Sequence, residues 1–587
     1  MSRGSARAGR TRRAGPAAPR PPGAPPTISA QPLSPTHPAA LIATLVAVAC
    51  VLVSVSFHLY DADAWQNLAF GKAIWTLGKI PHTQIFTWPN FGAPLVNPSW
   101  GFTALVWPFW SVGGVTGLFV WRWLTTLIVF AVLWITARRL GAVGLTPLWA
   151  LVVCALIYRQ RSQIRPETLA SVWFALTLWL LEVRRQGGPD RSVWLIAVAW
   201  AWANSHISYY VGFLLLGIHL LDGLIGRGSA GAPSTRRLWL VALAMAVVSF
   251  ANPYGWQTLA RPFQYLLVWR HEPMWRVISE IKPVDWRINL ANGLPVVMAG
   301  WPLLALWRWR RRGVDRVELL MCGAFTVLGL SSSRFIATYA LAAAPYLARD
   351  LDALVRTWPR PSGLARPWHR AALVSALCIA VGWREWTRYQ GPIGVAFDLR
   401  HTPKHACDFM AAHGVRGRGF NHFYLGGSQM WHFWPDRERL PFMSGSPEDS
   451  SPEIRDLYYR AISSPEGWRD LDARYRFDYA LLSRRYTDHY GLLDLIDADP
   501  TWAVVFVDDV AAVYLRREGP LAAVADSFAY RLVTGGRTRN AALVERAKGD
   551  TALRAALIAE LERQARETTR NLYGRQMLRA IGPPLGR

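Results

Sequence analysis

The sequence predicts an α-helical polytopic membrane protein of about eleven spans, followed by an extracytoplasmic α/β domain and a helical tail. Of its 587 residues, 52% are apolar and only 18% are charged. Many apolar residues form runs that approach the roughly 20 residues a helix needs to cross a bilayer core. The 31 Trp residues fit the same class, because indole favours the membrane–water interface.

The net charge of +26 comes largely from short basic clusters that lie between the apolar runs. A nucleic-acid-binding protein of this charge would carry its basic residues as a stripe on a folded domain. Basic clusters beside apolar spans are instead the signals that orient membrane proteins. We therefore expect a membrane as partner and no nucleic acid.

The predicted membrane domain covers residues 39–387 and follows a basic tail, residues 1–38, that is rich in Arg, Pro, Ala and Gly. Such a composition buries no core, so we expect the tail to be disordered. The apolar runs define the predicted spans, which are 39–57, 117–137, 145–158, 167–183, 192–204, 207–225, 237–251, 293–309, 317–331, 333–348 and 371–386.

The basic clusters predict the orientation of these spans. Arginines precede the first span and follow the second, fourth, sixth, eighth and tenth. With eleven spans, all of these clusters lie on one side, which the positive-inside rule identifies as cytoplasmic. The sequence therefore predicts a multi-pass protein of the inner (plasma) membrane, with a cytoplasmic N-terminus and an extracytoplasmic C-terminal domain.

Residues 100–113 form a further apolar run, which contains Pro108 and ends in the glycine pair 113–114. Counting this run as a span would place Arg138 and Arg139 outside the cell, against the positive-inside rule. We therefore expect an interfacial helix that lies along the outer face of the membrane.

Polar and ionisable side chains collect in the predicted outer loops. Such groups are costly at membrane depth and usually line a functional cavity. The first outer loop covers residues 58–116, and four later loops contribute at the same level. The candidate site residues in these loops are Asp61, Asp63, Trp65, His82, Arg165, Glu167, Asn204, His206, Glu280 and Arg334.

Asp61-Ala-Asp63 follows the first span directly and is the sharpest of these features. Two carboxylates two residues apart can share a proton or a cation. One can act as general base while the other holds a metal ion or orients a hydroxyl group. The alternative is a helix cap followed by a solvated acidic residue.

The first outer loop resembles that of bacterial GT-C superfamily membrane glycosyltransferases. The matching segments are Asp61-Ala-Asp63-Ala-Trp65, Gly71-Lys-Ala-Ile-Trp75, Gly78-Lys-Ile-Pro81-His82 and Phe86-Thr-Trp88. The superfamily includes protein mannosyltransferases, oligosaccharyltransferases and the aminoarabinose transferases of lipid A. This chain looks most like an uncharacterised Rgt-type, protein-mannosyltransferase-like subgroup, and the similarity extends over about residues 40–518.

The resemblance implies that an acidic residue of the first outer loop is the catalytic base, here Asp61 or Asp63, with Asp63 preferred. It also implies a polyprenyl-phosphate-linked sugar as donor and inversion at the transferred carbon. Arg165 and Arg334 are the candidates for holding the phosphate, because guanidinium groups bind phosphate in a bidentate manner. Contact with lipid headgroups is the alternative for both.

The other polar candidates would complete the substrate cavity as hydrogen-bonding groups or metal ligands. They are His82, Glu167, Asn204, His206 and Glu280. A structural hydrogen bond near a helix end is the alternative for the two histidines. Neither of these two histidines has another histidine four residues away, which argues against a zinc site of the helical type at either position.

Trp65 would either stack on a sugar or pack at the membrane interface. The leaving phosphate needs positive charge, which either arginines or a divalent metal ion would supply. Mg²⁺ or Mn²⁺ held by Asp61 and Asp63 is the metal-dependent alternative.

Residues 388–518 are mixed in composition and predict an α/β domain. Strand-like runs at 479–482 and 503–507 occur together with helical stretches such as 452–463. The pattern of residues 511–515 predicts the hairpin partner of 503–507. The last segment, residues 519–587, is predicted to be helical from its apolar spacing.

The sequence thus predicts a glycosyltransferase that moves a sugar from a polyprenyl-phosphate donor to a lipid, glycan or protein acceptor outside the cytoplasm. A flippase of the same lipid-linked sugar is one alternative, although it would carry more charge within its spans and two related halves. A non-catalytic scaffold for cell-envelope assembly is the other.

Overall fold

The structure, a computed structural model, describes residues 33–226, 234–276, 278–359, 361–388, 391–485 and 490–582. Most of the tail that we predict to be disordered, residues 1–32, lies outside the described residues. The described chain folds into a helix bundle, an α/β domain and a C-terminal group of helices.

The helix bundle follows the predicted spans closely. Its helices are α1 Pro38–Val55, α2 Asp63–Leu77, α3 Trp100–Arg139, α4 Thr146–Tyr158, α5 Glu167–Arg185, α6 Trp194–Ala203, α7 Tyr210–Ile225, α8 Arg236–Ser249, α9 Trp256–Leu267, α10 Pro273–Arg276, α11 Trp286–Asn289, α12 Leu294–Arg312, α13 Arg316–Ser331, α14 Ile336–Val355 and α15 Pro367–Trp386. Each of the eleven predicted spans coincides with one of them.

Three helical segments in the described part of the chain are long and apolar enough to cross a membrane, namely Pro38–Val55, Trp100–Arg139 and Ile207–Ile225. Trp194–Ala203 is a shorter apolar helix. The apolar helices support a membrane protein, whereas the count of eleven spans and the orientation remain predictions.

Helix α14 lies at the centre of the bundle, in contact with α3, α4, α5, α12 and α13. Its alanines 340 and 342–344 are fully buried. Small residues let helices approach closely where packing, and not water, drives their association. The Ala-rich sequence of α14 therefore explains why this helix takes the central position.

The α3 segment is broken at Gly114, whose φ of 53° and ψ of −133° are not helical. A Cβ atom at Gly117 would lie only 1.8 Å from the carbonyl oxygen of Phe109, so the two parts of α3 fold back on one another. Only glycine allows so close an approach and so readily adopts such a positive φ. The break separates the predicted interfacial helix, residues 100–113, from the second predicted span.

The α/β domain is built on a four-stranded sheet of order β1-β2-β4-β3. Its elements are α16 Lys404–Ala412, β1 Gly419–Asn421, α17 Phe423–Phe433, α18 Pro452–Ser463, α19 Pro465–Tyr475, β2 Tyr479–Ser483, α20 Tyr490–Ala498, β3 Trp502–Val507, β4 Ala511–Arg516 and α21 Ala522–Phe528. Strands β3 and β4 form the predicted antiparallel hairpin, with a register shift between Val504 and Phe506.

The C-terminal helices are α22 Asn540–Gly549, α23 Thr551–Glu567 and α24 Leu572–Ile581. They pack on the α/β domain, since the Gln564 side-chain amide donates to the carbonyl oxygen of Val507 at 2.9 Å. The Glu560 carboxylate in turn accepts the backbone N–H of Val533 at 2.8 Å. The predicted helical tail is therefore a packed part of the domain.

The first outer loop lies between the bundle and the α/β domain. Trp65 of α2 stacks on Phe397 with ring centroids 4.4 Å apart, and its indole N–H donates to the Thr402 hydroxyl at 3.1 Å. The Gln66 amide donates to the Ser446 hydroxyl at 2.7 Å. These contacts hold α2, and the carboxylates at its start, in a fixed position.

Candidate active site at the outer ends of the helices

The Asp61-Ala-Asp63 segment forms the start of α2. An Asp61 carboxylate oxygen accepts the backbone N–H of Asp63 at 3.0 Å, which is a local cap two residues ahead of the helix. Asp63 occupies the first turn, where the helix dipole favours negative charge. The local hydrogen bond of Asp61 fixes the start of α2, and both carboxylates keep further oxygens for other partners.

Arg165 lies between three carboxylates from two loops that are far apart in sequence. One of its terminal nitrogens, Nη2, lies 2.9 Å from an oxygen of Asp61 and 2.9 Å from an oxygen of Asp63. Its other terminal nitrogen, Nη1, contacts the Glu280 carboxylate. We call the group formed by Asp61, Asp63, Arg165 and Glu280 the carboxylate centre.

Glu280 connects the carboxylate centre to two further arginines. Its carboxylate lies 3.1 Å from Arg161 and 3.7 Å from Arg334. Burial alone would raise the pKa of Glu280, but Arg165, Arg161 and Arg334 together hold that pKa well below its usual value. The hydroxyl groups of Ser332 and Ser333 donate to the Glu280 backbone oxygen and fix the loop in place.

A cleft opens beside these two arginines and contains about 600 Å³ of empty space, including its open mouth. Its polar lining includes Arg161, Glu167, His206, Tyr210 and Arg334. The remaining lining is mostly apolar and comes from α5, α6, α7 and α14. The cleft therefore brings two arginines, a carboxylate and apolar side chains together in one lining.

His206 lies in the turn between α6 and α7 and is 4.0 Å from Glu167. Its Nδ1 is 2.6 Å from the Ser208 hydroxyl. Burial lowers the pKa of His206 to about 4, although the Glu167 charge opposes that shift. His206 is therefore neutral at pH 7 and available to the cleft as a hydrogen-bonding group without charge.

Asp63 combines a raised pKa with an open surface. The side chain is only partly buried, but the protein atoms around its covered part desolvate the carboxylate and raise its pKa to about 7; the Asp61 and Glu280 charges add to this effect while Arg165 opposes it. The Asp63 side chain keeps 45% of its surface exposed, against 8% for Asp61. Among the carboxylates of the carboxylate centre, Asp63 is therefore the most exposed.

The turn that carries Arg161 and Arg165 is fixed from below by buried arginines that the sequence did not single out. The Arg122 guanidinium donates to the Phe57 carbonyl at 2.7 Å and to the Ser162 hydroxyl at 2.9 Å. Arg159 pairs with Glu385 of α15 at 3.0 Å. An Arg within the second apolar run was the signal that could have identified Arg122.

Three of the predicted site residues have packing partners in the structure. Asn204 accepts from the Trp100 indole at 2.9 Å and donates to the Trp200 carbonyl at 2.8 Å. His82 is exposed and packs against Tyr254, with ring centroids 5.1 Å apart. Trp65 lies between α2 and the α/β domain, as described above. Substrate contacts by these three remain predictions, whereas Asp61, Asp63, Arg165, Glu167, His206, Glu280 and Arg334 come together.

A divalent metal ion does not fit the carboxylate centre as it is built. Carboxylate oxygens are the ligands that Mg²⁺ and Mn²⁺ prefer, but those of Asp61, Asp63 and Glu280 all point at the Arg165 guanidinium. Among the residues that the structure describes, no three His, Cys, Asp or Glu side chains are arranged to hold a metal ion.

The fold is similar to that of solved membrane enzymes. The archaeal oligosaccharyltransferase AglB from Archaeoglobus fulgidus, in complex with an inhibitory peptide and a dolichol-phosphate, superposes with a TM-score of 0.56 at 11% identity. The match covers 79% of this chain and 72% of that one.

The apo form of the Archaeoglobus fulgidus oligosaccharyltransferase gives a TM-score of 0.54 at 12% identity, over 81% of this chain and 74% of that one. No protein-family model and no curated protein matches the sequence. The likeness is therefore one of architecture, and it shows that this chain has a GT-C-like fold, the one its first outer loop resembles.

Proposed function

We propose that the protein is a membrane glycosyltransferase that moves a sugar from a polyprenyl-phosphate donor to an acceptor outside the cytoplasm. The observation that carries the proposal is the link between Asp63 and the cleft. Asp63 contacts Arg165, Arg165 contacts Glu280, and Glu280 contacts the two arginines of the cleft. One connected cluster thus offers an accessible base and a site for an anionic leaving group.

The reaction exchanges one C–O bond for another. The acceptor hydroxyl attacks the anomeric carbon of the sugar while the bond from that carbon to the phosphate oxygen breaks. Asp63 takes the hydroxyl proton as the new bond forms, and the polyprenyl phosphate leaves as an anion. A pKa near 7 suits this role, because a general base is most effective when its pKa lies near the operating pH.

Arg334 is the best-placed residue to bind the phosphate. Its side chain is 33% exposed, and its ion pair with Glu280 is long at 3.7 Å. The Arg334 Nε atom is buried and has no hydrogen-bond partner among the described residues. A planar guanidinium group with an unused donor can bind two oxygens of a phosphate at once, and Arg161 adds a second positive charge to the same cleft.

The acceptor would approach Asp63 from the side of the α/β domain. A Cβ atom at Gly445 would lie 3.6 Å from an Asp63 carboxylate oxygen, so the loop that contains Gly445 borders the base. The same loop is attached to α2 through the Gln66–Ser446 hydrogen bond. This loop and Asp63 would therefore form the acceptor side of the site, opposite the cleft for the donor.

The solved neighbours support a lipid-phosphate donor. The archaeal oligosaccharyltransferase of similar architecture was solved with a dolichol-phosphate bound. Dolichol-phosphate combines a phosphate with a polyprenyl chain, which is the chemistry that the arginines and apolar walls of the cleft accommodate.

The test compares two isosteric variants at neighbouring carboxylates. Asp63→Asn and Asp61→Asn are purified beside the wild type, and sugar release is followed from a panel of polyprenyl-phosphate sugars. We expect Asp63→Asn to lose about 10²–10⁴-fold in turnover with donor binding retained, because a general base contributes that much. Asp61→Asn, whose carboxylate is mostly covered, serves as the matched control and should lose less.

Equal turnover in the wild type and Asp63→Asn would refute Asp63 as the base. Wild type that releases sugar from no donor, but moves labelled lipid-linked sugar across proteoliposomes, would refute the transferase in favour of a flippase. Far-ultraviolet circular dichroism and size-exclusion chromatography of each variant show whether the fold is kept.

A further inference from the structure

The carboxylate centre contains its own cation, and we propose that Arg165 replaces a divalent metal ion there, so that sugar transfer proceeds without one. This inference rests on the proposed function for its catalytic consequence. Whether Arg165 occupies the carboxylate centre does not depend on the proposed function. A metal-binding measurement tests it directly, because a metal ion and Arg165 would compete for the same carboxylates.

The geometry gives Arg165 the position that a metal ion would need. Asp61 and Asp63 approach from the first outer loop, and Glu280 approaches from the loop between α8 and α12. All three carboxylates contact the same guanidinium group. A Mg²⁺ ion binds oxygen ligands at about 2.1 Å, so it would have to occupy the space that this guanidinium fills.

The charge balance also disfavours an added metal ion. The cluster contains four carboxylates, from Asp61, Asp63, Glu167 and Glu280, and three guanidinium groups, from Arg161, Arg165 and Arg334. With Asp63 protonated the cluster is neutral, and with Asp63 ionised it carries one negative charge. A divalent ion beside Arg165 would bring like charges together in a poorly solvated place, which is costly. Arginine cannot lose its proton to relieve that cost.

Arg165 is held in place by its backbone as well as by its side chain. Its N–H donates to the Gln163 carbonyl at 2.7 Å, and its own carbonyl accepts from the Thr168 hydroxyl at 2.9 Å. The Asn67 amide of α2 donates to the neighbouring Ile164 carbonyl at 3.2 Å. The side chain is only 15% exposed. Such anchoring is typical of a built-in group and not of a side chain that moves aside for a ligand.

A fixed guanidinium differs from a metal ion in what it can do. It carries a single charge and donates hydrogen bonds, so it orients Asp61 and Asp63 and keeps the centre from repelling an anionic donor. It offers no open coordination position for the donor phosphate. Contact with that phosphate is then left to Arg334 and Arg161 in the cleft.

The first experiment measures Mn²⁺ binding to the purified full-length protein by electron paramagnetic resonance, with no substrate present. We expect wild type to show no stoichiometric Mn²⁺ site. Arg165→Gln, which uncovers the carboxylates, is expected to gain Mn²⁺ affinity that the double variant Arg165→Gln/Asp61→Asn loses again. Arg334→Gln is the matched control, because it removes a guanidinium from Glu280 but leaves Arg165 in the centre.

A stoichiometric Mn²⁺ site in wild type that disappears in Asp61→Asn would overturn the proposal, and this result does not depend on whether the Arg165 variant folds. The second experiment measures turnover with excess EDTA. Unchanged turnover supports the proposal, and a loss that Mg²⁺ or Mn²⁺ restores overturns it. If wild type shows no turnover on any donor, the proposed function fails, while the Mn²⁺ measurement still decides whether Arg165 occupies the centre.

Discussion

The two ends of the helix bundle contain arginine–carboxylate clusters of similar composition but opposite character. The outer cluster surrounds Arg165 at the start of α5. The inner cluster surrounds Arg349 near the end of α14, and Arg185 at the end of α5 also contacts it. Because α5 is a helix of 19 residues, its two ends, and with them the two clusters, are about 28 Å apart. Comparing them shows what distinguishes a candidate site from a structural cluster.

The inner cluster is closed. Arg349 pairs with Asp315 at 2.8 Å and with Asp350 at 2.7 Å, and it also contacts Glu318. Its side chain is 3% exposed, and those of Glu318 and Asp350 are 1% and 0% exposed. Each of these groups already has charged partners, so the cluster joins α12, α13 and α14 and has no free surface for a ligand.

The outer cluster has the same kinds of pairs but is open. Asp63 is 45% exposed, Arg334 is 33% exposed and Glu280 is 23% exposed. A cleft lies beside it, and none of the residues that line this cleft belongs to the inner cluster. Ionic content alone therefore does not identify the site; exposed ionic groups beside a cavity do.

The largest expected difference between the two clusters is in how much each contributes to the stability of the folded protein. Arg349→Met removes the shared partner of three buried carboxylates. Asp315 keeps Arg185 and Asp350 keeps Arg308, but Glu318 then has no charged partner among the described residues. Breaking a buried ion pair in this way costs about 3–5 kcal/mol. Thermal unfolding in detergent, followed by near-ultraviolet circular dichroism, should therefore show a clear fall in Tm.

The matched control for Arg349→Met is Arg316→Met, whose ion pair with Asp222 is 45% exposed on the arginine side. We expect little change there, because exposed pairs contribute about 0–1 kcal/mol. Similar Tm values for both variants would contradict the description of the inner cluster as a closed structural unit.

The next effect is on donor binding. Arg334→Ala removes a partly exposed guanidinium from the cleft, and hydrogen bonds to charged groups contribute about 1.5–3 kcal/mol. We therefore expect donor affinity to fall by about 10–100-fold, with little change in Tm. Titration with a polyprenyl-phosphate sugar, followed by intrinsic tryptophan fluorescence, measures this change, and Arg316→Ala at the inner end provides the control.

Undiminished donor affinity in Arg334→Ala would remove this residue from the phosphate site. A large loss of Tm in the same variant would show that Arg334 is instead a structural member of the cluster, like Arg349.

The smallest expected effect is a shift in pH dependence. Because burial raises the pKa of Asp63 to about 7, the active carboxylate form is lost as pH falls below that value. We expect kcat/KM to rise about tenfold per pH unit up to about pH 7 and then to level off. Asp61→Asn removes a negative charge that raises the Asp63 pKa, so the inflection should move to lower pH.

Arg165→Gln should move the same inflection in the opposite direction, because Arg165 lowers the pKa of Asp63. Rate profiles of the three proteins across neutral pH provide the measurement. An inflection that stays at the same pH in both variants would mean that a group other than Asp63 titrates.

The sequence by itself determined where the helices and the β3–β4 hairpin lie along the chain, and which loops lie on the same side of the bundle. Apolar runs placed helices at all eleven predicted spans, and strand patterns placed the β3–β4 hairpin, because both depend on local periodicity. The assignment of Asp61, Asp63, Arg165, Glu280 and Arg334 to one side followed from charge alternation between spans, and these residues do meet in the structure.

Only the tertiary structure decided which group contacts which. From sequence, Arg165 was a candidate for phosphate and Trp65 a candidate for sugar. Packing places the first against three carboxylates and the second against Phe397. Such pairings join segments up to several hundred residues apart, and no local pattern encodes them. They depend on how the helices and the α/β domain pack, which also sets the exposure that separates the outer cluster from the inner one.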